Sequence, residues 1–276
     1  RSLATDPDSA VWPSAGKVEF RELSIRYRVD LPLSLAGLSA SIGGGQKAGI
    51  VGRSGAGKST LIVALFRLVE ATEGAVFVDD VDISTVGLET MRRAVTIIPQ
   101  DPTLHKGTVE HNLDPFGEHT KEELASALRR TKLPDALLTQ DVEKGGTNLS
   151  SGERQLLCFA RALLQRRPIL VLDEATSNLD AESDALMQSV LRDEFDGTTL
   201  LTIAHRLQTI IDYDVVLVMG RGKLLEQGSP HELLCREDGA LAAMAKALGE
   251  SGEAELRDRA NEAEEQKALN RRIGAN

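Results

Sequence analysis

One short glycine-rich stretch of this sequence has the residue types that bind a phosphate group. Glycines let successive backbone N–H groups converge on phosphate oxygens, and a helix that follows them adds a positive potential of about half a charge. The lysine of the stretch, Lys58, would reach the β- and γ-phosphates, and the hydroxyl of Ser59 would ligate Mg²⁺. The stretch satisfies the pattern G-x-x-x-x-G-K-[ST] and comprises Gly52, Arg53, Ser54, Gly55, Ala56, Gly57, Lys58, Ser59 and Thr60.

The residues on either side of this stretch predict the structure that a phosphate loop needs. Residues 47 to 51 are typical of a buried strand, and Leu61, Leu65 and Leu68 have the spacing of one helix face. The alternative is an ordinary glycine turn with a solvated lysine. Strand, glycine loop and helix in this order favour the phosphate loop.

A second group of candidate residues ends an apolar run. Residues 169 to 172 are all apolar, and Asp173 and Glu174 follow directly. Strands of a covered parallel sheet are uniformly apolar, and ligands bind beyond their carboxyl ends. We therefore expect Asp173 to be a partner of Mg²⁺, through water, and Glu174 to be the base that orients a water on the γ-phosphate. The alternative is a strand end with solvated acids.

A third segment, residues 149 to 155, predicts the start of a helix. Ser150 and Glu153 have the spacing of a capping box, and an amphipathic run follows them. A helix N-terminus is also a phosphate receptor, so this one would suit the γ-phosphate of a nucleotide held by another subunit. Capping alone is the alternative.

The 276 residues suit one large α/β domain or two small ones. Residues 1–16 have the composition of a linker or extended arm. Residues 18 to 27 and 33 to 42 alternate between apolar and polar, which predicts antiparallel strands. From Ala48 onward, short apolar strands alternate with amphipathic helices, which predicts a parallel sheet. The charged tail, residues 250–276, predicts a solvated helix or disorder.

Composition narrows the class of protein. A net charge of −10 argues against a groove that follows a nucleic-acid backbone, so we expect no nucleic-acid partner. No apolar run approaches the roughly 20 residues of a membrane helix. The chain begins at Arg1 without a secretory leader, so we expect a soluble piece of a longer polypeptide. Cys158 and Cys235 lie in apolar helical patterns, which predicts buried thiols in a reducing compartment.

Together these motifs resemble, in order, the nucleotide-binding domain of ABC transporters over residues 17–249. The resemblance implies an α/β phosphate-loop NTPase core of the RecA-like type, with an antiparallel β subdomain and an inserted α-helical subdomain at about residues 101–167. It implies that Tyr27 stacks on adenine and that Gln100 is the loop glutamine near Mg²⁺ and a hinge to the insert. It also implies that residues 149 to 155 are the signature, with Ser150, Ser151, Gly152 and Glu153 on the partner's ATP. Residues 177 to 180 would be the D-loop, ending in Asp180, and His205 the switch histidine on the γ-phosphate.

Some of these residues have simpler alternatives. Tyr27 has the residue type that packs in strands, and Gln100 could be a solvated loop amide after Pro99. A lone histidine such as His205 is more often structural. Their order along the chain favours the functional assignment.

Finer features are similar to the C subfamily, the multidrug-resistance-protein type, and to its second nucleotide-binding domain. The sequences of residues 98–102, 112–116 and 202–207 are close to the corresponding motifs of that group. Glu174 is the acid typical of its second domain. Ser151 and Glu153 depart from the broader family, which has glycine and glutamine there. Because Ser150 and Gly152 are retained, we expect the γ-phosphate contact to survive.

The resemblance implies an ATPase that uses ATP and Mg²⁺ to drive substrate export from the cytoplasmic face of a membrane. Its partners would be a second, non-identical nucleotide-binding domain of the same polypeptide and the transmembrane domains. One alternative is an ATP-gated regulatory domain of a C-subfamily channel or channel regulator. The other is a soluble ABC ATPase, against which the acidic charge argues.

Overall fold

The computed structural model describes residues 6–8, 12–175 and 181–274 of the chain. The strands are β1 Val18–Ile25, β2 Leu35–Ile42, β3 Lys47–Gly52, β4 Glu73–Val78, β5 Val81–Asp82, β6 Val95–Ile98, β7 Gly107–Thr108, β8 Asp141–Val142, β9 Ile169–Asp173, β10 Thr199–Ile203, β11 Val215–Gly220 and β12 Lys223–Gly228. The helices are α1 Lys58–Leu65, α2 Leu88–Arg93, α3 Val109–Leu113, α4 Lys121–Arg130, α5 Ser151–Gln165, α6 Ala181–Glu194, α7 Pro230–Leu234, α8 Ala240–Lys246 and α9 Gly249–Gly274.

The chain divides into two compact units. The first comprises Arg1–Arg92 and Thr199–Asn276, and the second comprises Arg93–Thr198. The phosphate loop belongs to the first unit, and the carboxylates after β9 belong to the second.

The first unit contains an antiparallel sheet in the order β2, β1, β4, β5. Val18 is paired with Ile42 on one side and with Val78 on the other. The apolar residues of β1 and β2 that alternate in the sequence are buried, Phe20 and Leu38 among them. This is the pair of antiparallel strands that the alternation predicts.

A mixed layer of the same unit carries the phosphate loop. Its strands lie in the order β12, β11, β3, β10; β10 and β11 run parallel to β3, and β12 returns antiparallel to β11. Every residue from Ala48 to Val51 and from Thr199 to Ile203 is buried. Uniform burial is what parallel strands covered on both faces require.

The second unit joins a parallel strand pair to helices. Val95 to Ile98 of β6 are in register with Ile169 to Leu172 of β9. The long helix α5 packs on α4 and β6, and Phe159 of α5 meets Phe195 edge to face at a centroid distance of 6.2 Å. The two units together provide the α/β core, the antiparallel sheet and the helical insert that the sequence predicts.

Two sequence predictions are wrong, one about the burial of a cysteine and one about the extent of the helix that follows the phosphate loop. Cys158 is buried, and this burial raises the pKa of its thiol, but Cys235 is exposed because it follows the last residue of α7, whose Leu233 and Leu234 fill the core. Leu68 is 63% exposed and lies beyond α1. Arg67 adopts a left-handed φ of 47°, and the N–H of Leu68 donates to the carbonyl of Val63 at 2.9 Å, which ends the helix before Leu68.

The described part of the N-terminal arm packs on the antiparallel sheet. The indole N–H of Trp12 donates to the carbonyl of Val78 at 3.0 Å. Four successive N–H groups, of residues 14 to 17, donate to the carboxylate of Asp79. Burial opposes ionisation of Asp79, but these four donors outweigh it and hold the pKa of the carboxyl below its usual value.

Candidate functional site

The loop between β3 and α1 follows a path that glycine makes possible. Gly52 and Gly57 have φ angles of 153° and 99°. A Cβ at Gly52 would lie 2.3 Å from the carbonyl oxygen of Met219, and one at Gly57 would lie 3.0 Å from that of Ser34. The loop is therefore packed tightly on neighbouring backbone at both ends, which fixes the direction of its N–H groups.

Lys58 lies across this loop. Its side chain is largely buried, with 7% of the residue exposed, and its Nζ donates to the carbonyls of Gly52 at 2.9 Å and Arg53 at 3.3 Å. An ammonium has three N–H donors, so this arrangement can also serve an anion. The loop thus combines a fixed positive charge with the start of a helix.

The N-terminus of α1 is suited to a ligand. Gly57 is its N-cap, the first turn contains no acidic residue, and among the described residues no side chain caps it. Ser59, in the first turn, is exposed. The first N–H groups of a helix need an acceptor, and a phosphate fulfils that need.

Tyr27 stands beside the helix that follows the loop. Its hydroxyl lies 3.2 Å from the Oγ1 of Thr60, and the residue is 46% exposed. Tyr27 lies beyond β1, which ends at Ile25, so it does not pack within a strand. An exposed ring next to the phosphate loop is where a stacking platform for a nucleobase is expected.

His205 lies at the same edge of the first unit as the loop. β10 runs parallel to β3 with Ile203 opposite Ile50, and the N–H of Ala204 donates to the carbonyl of Ile50 at 3.1 Å. His205 follows Ala204 and is exposed. Both strands therefore deliver their candidate residues beyond their carboxyl ends.

In the second unit, β9 carries the acidic pair. Its residues 169 to 172 are buried, Asp173 is half-buried, and Glu174 follows the strand with a left-handed φ of 50°. Glu174 therefore lies directly beyond the carboxyl end of β9, where ligands of parallel sheets bind.

The signature segment begins α5 with the capping box that the sequence predicts. The Oγ of Ser150 accepts from the N–H of Glu153 at 3.2 Å, and the Oε2 of Glu153 accepts from the N–H of Ser150 at 2.8 Å. Ser150 and Ser151 are exposed. Gly152 is buried, and a Cβ there would lie 2.9 Å from the Oγ of Ser183.

Sequence reasoning placed Gln155 at the end of the signature but did not predict its contacts. Only 3% of this residue is exposed, and its Nε2 donates to the carbonyls of Pro99 at 3.2 Å and Gln100 at 3.0 Å. The side chain thereby joins α5 to the loop that contains Gln100, which is itself exposed. A polar residue among buried leucines of α5 was the available signal.

The predicted site residues are divided between the two units. Tyr27, residues 52 to 60 and His205 belong to the first unit, and Gln100, residues 150 to 153, Asp173 and Glu174 belong to the second. That the acids face the phosphate loop therefore stays a prediction. Asp180 and the rest of the D-loop lie outside the described residues.

A protein-family model described as "ABC transporter" matches residues 35–177, more than half of the chain. The chain belongs to the ABC transporter family. This family match confirms the resemblance and places the chain among ABC ATPase domains, which bind ATP.

Relatives of this ABC domain are members of the C subfamily. The chain is 50% identical over 232 residues to "ABC transporter C family member 13" of Oryza sativa subsp. indica. The aligned region covers 82% of the chain and 15% of that protein. It is 48% identical over 244 residues to "ATP-binding cassette sub-family C member 2" of Homo sapiens, covering 86% of the chain and 16% of that protein. It is 43% identical over 266 residues to the "ATP-dependent bile acid permease" of Saccharomyces cerevisiae, covering 87% and 16%.

A solved ABC structure has the same fold. The "bacterial Atm1-family ABC exporter with ATP bound" superposes with a TM-score of 0.79 at 36% identity, over 85% of this chain and 42% of that chain. This likeness confirms the predicted α/β phosphate-loop fold. The chain spans only about a sixth of the length of the curated relatives it matches.

Proposed function

We propose that this chain is the ATP-hydrolysing motor domain of a C-subfamily exporter and, in that protein, the second of two nucleotide-binding domains. The observation that carries the proposal is the phosphate loop, in which an uncapped helix start, the Lys58 ammonium and the exposed Tyr27 ring lie together. The residues fit a nucleoside triphosphate, because cationic and N–H donors meet its phosphates and an aromatic face meets its base.

The nucleotide is held by the first unit. Residues 52 to 60 bind the phosphates through backbone N–H groups and Lys58, and Tyr27 stacks on adenine. Oxygen donors for Mg²⁺ come from the hydroxyl of Ser59, the amide of Gln100 and the carboxylate of Asp173, the last through water. This set fits the metal, since Mg²⁺ prefers oxygen ligands and binds through one or two protein groups plus substrate phosphates. When bound, the ion neutralises charge that develops on the phosphates.

Hydrolysis uses two further residues. Glu174 accepts a proton from the attacking water and orients it on the γ-phosphate, and His205 holds the γ-phosphate. The position of Glu174 directly after the buried strand β9 supports this assignment, because ligands of parallel sheets bind beyond the carboxyl ends of the strands.

The site is completed by a partner. We infer that Ser150, Ser151, Gly152 and Glu153 form a receptor whose hydroxyl and backbone N–H groups bind the γ-phosphate of a nucleotide held by a second, non-identical domain of the same polypeptide. Asp180 in the D-loop would lie at the same interface. Binding of ATP then drives association, and hydrolysis releases it. The exposed start of α5 supports this role.

The transport function belongs to the longer protein. By analogy with the relatives, we propose that attached transmembrane domains convert association into export and that the domain works at the cytoplasmic face of the membrane. Among the described residues, no helix combines the length and hydropathy that crossing a bilayer takes.

The test is Glu174→Gln. We expect ATP affinity to stay the same and phosphate release to fall about a hundredfold or more, because a positioned base contributes that much. Affinity is measured by calorimetry and release in a single-turnover assay. Glu182→Gln, the same change at an exposed carboxylate of α6, is the control.

Release at the wild-type rate in Glu174→Gln would remove this residue from the base role. Turnover per domain should also rise with protein concentration, because the site needs a partner. Turnover that is independent of concentration would contradict the shared site, and ATP binding without turnover would favour a gating domain.

A further inference from the structure

The C-terminal helix α9 is packed along the first unit. It spans Gly249–Gly274, and although most of its residues are polar, Leu256 and Ala260 are fully buried against α7 and α8. The guanidinium of Arg257 donates to the carbonyl of Leu234 in α7 at 2.7 Å. This part of the helix packs on the other C-terminal helices.

Two other cations of α9 reach a different element, the β10–β11 connection, which we define as residues 205 to 214. Arg259 donates through NH2 to the carbonyl of Gln208 at 3.0 Å. Lys267 donates through Nζ to the carbonyl of Tyr213 at 2.7 Å and lies 3.3 Å from Oδ1 of Asp214. The connection that α9 holds begins at His205.

The opposite side of this connection is fixed to the strands that frame the phosphate loop. Ile210 is fully buried in front of Gly49 of β3, where a Cβ would lie 2.8 Å from the Cβ of Ile210. The hydroxyl of Tyr213 lies 3.1 Å from the Oγ1 of Thr202 in β10. The Oδ2 of Asp214 accepts from the N–H of Lys47, the first residue of β3, at 2.8 Å.

The connection is thus fixed on one side by contacts with β3 and β10 and on the other side by contacts with α9. Charge-assisted donors such as Arg259 and Lys267 form stronger hydrogen bonds than neutral ones. The carbonyl of Gln208 lies only three residues after His205, so its anchor restricts the backbone that carries the histidine. Contacts that act on a reacting phosphate depend on placement to within about half an ångström.

We propose that α9 is a brace for the switch histidine, and that Arg259 and Lys267 are positioning residues for ATP turnover. The proposal rests on the proposed role of His205. It means that the C-terminal helix sets the rate of hydrolysis without touching the nucleotide.

The experiment compares two arginines of one helix in the 276-residue chain. Arg259→Ala should lower kcat for ATP by about threefold to tenfold while ATP affinity and KM stay the same, since small misplacements far from the chemistry reduce rate by up to about a hundredfold. Arg257→Ala, which removes an anchor to α7 instead, should keep kcat within about twofold. Arg259→Lys should restore most of the rate, because a lysine can still donate to the Gln208 carbonyl.

Hydrogen exchange provides a readout that does not depend on turnover. Arg259→Ala should speed amide exchange in residues 206 to 214, and Arg257→Ala should not. Unchanged exchange in Arg259→Ala would show that Arg259 does not hold the β10–β11 connection. Faster exchange with wild-type kcat, or an equal loss of kcat in Arg257→Ala, would overturn the positioning role.

These outcomes are distinct from failure of the proposed function. If Glu174→Gln and the wild type release phosphate equally, the assignment of the catalytic base fails, and the exchange experiment still decides whether α9 holds the connection. If turnover depends on Glu174 but Arg259→Ala leaves kcat unchanged, the positioning proposal alone is wrong.

Discussion

Two helices of this chain begin at candidate phosphate receptors, but their N-termini are built differently. α1 starts from Gly57, with no described side chain as a cap and no acid in its first turn. α5 starts from Ser150 with a complete capping box, and Glu153 lies in its first turn. The N-terminus of α1 offers its N–H groups to a ligand, whereas at α5 two N–H groups, those of Ser150 and Glu153, already donate to side chains of the helix start.

The carboxylate of Glu153 accounts for the difference. Besides the N–H of Ser150, its Oε2 accepts the hydroxyl of Ser150 at 2.8 Å. A carboxylate only accepts hydrogen bonds, so it binds the single hydroxyl proton of Ser150. A phosphate at α5 therefore approaches an internal anion, whereas one at α1 does not. This contrast supports an order in which α1 binds nucleotide first and α5 engages a partner's nucleotide second.

A third helix shows that the box itself is a folding device. In α4, the Oε2 of Glu123 accepts from the N–H and the hydroxyl of Thr120 at 2.7 and 2.9 Å, and the Oγ1 of Thr120 accepts from the N–H of Glu123 at 3.3 Å. These distances match those in α5. The other residues of the signature, and not the cap, distinguish the start of α5 from that of α4, and α4 supplies matched controls.

The largest expected effect is at α1. Lys58→Ala should weaken ATP binding by at least about thirtyfold, because truncating one partner of a buried charged contact costs about 2–5 kcal/mol. Calorimetry measures the affinity, and Lys246→Ala, which removes a lysine from α8, is the control. Unchanged affinity in Lys58→Ala would show that α1 is not the primary receptor.

The second-largest expected effect distinguishes the role of the α5 start as a phosphate receptor from its role in folding. Ser150→Ala and Thr120→Ala should each lower the free energy of unfolding by about 1 kcal/mol, since each removes a capping hydroxyl. Only Ser150→Ala should weaken ATP-dependent association, with a second copy of this chain standing in for the partner. Urea unfolding and light scattering measure the two quantities. Equal losses of association in both variants would show that the start of α5 is a capped helix end without a receptor role.

The smallest expected effect tests whether the Glu153 carboxylate favours or opposes ATP-dependent association. Glu153→Gln should strengthen ATP-dependent association by about twofold to fivefold, because a negative charge at a helix start contributes about 0.3–1 kcal/mol and would repel phosphate. The same change should slightly lower the free energy of unfolding. Glu123→Gln should lower stability similarly and leave association unchanged. Weaker association in Glu153→Gln would mean that the carboxylate does not oppose the phosphate.

Much of this arrangement follows from local sequence. The phosphate loop, the capping box at Ser150 and the buried strand before Asp173 depend on residues close together in the chain, so their patterns predict them. The core of β3 and β10 is equally local, because buried parallel strands are uniformly apolar.

Contacts between distant segments could not be predicted. The bonds from Gln155 to the Pro99 and Gln100 carbonyls and from Arg259 to the Gln208 carbonyl join residues about 50 positions apart, and backbone acceptors leave no trace in a side-chain pattern. α9 illustrates this limit. Its composition predicts a solvated helix or disorder, and nothing in it predicts that Leu256 and Ala260 are buried where α9 packs on α7 and α8.

The docked arm gives the molecule a built-in optical probe. Trp12 is the single tryptophan of the chain, it is largely buried, and its indole N–H is bound to the carbonyl of Val78. Its fluorescence therefore reports the environment of one site on β4, free of interference from other indoles. Because protonation of Asp79 removes the charge that strengthens its bonds with the neighbouring N–H groups, acid should loosen the arm and shift the emission to longer wavelength as Trp12 meets water.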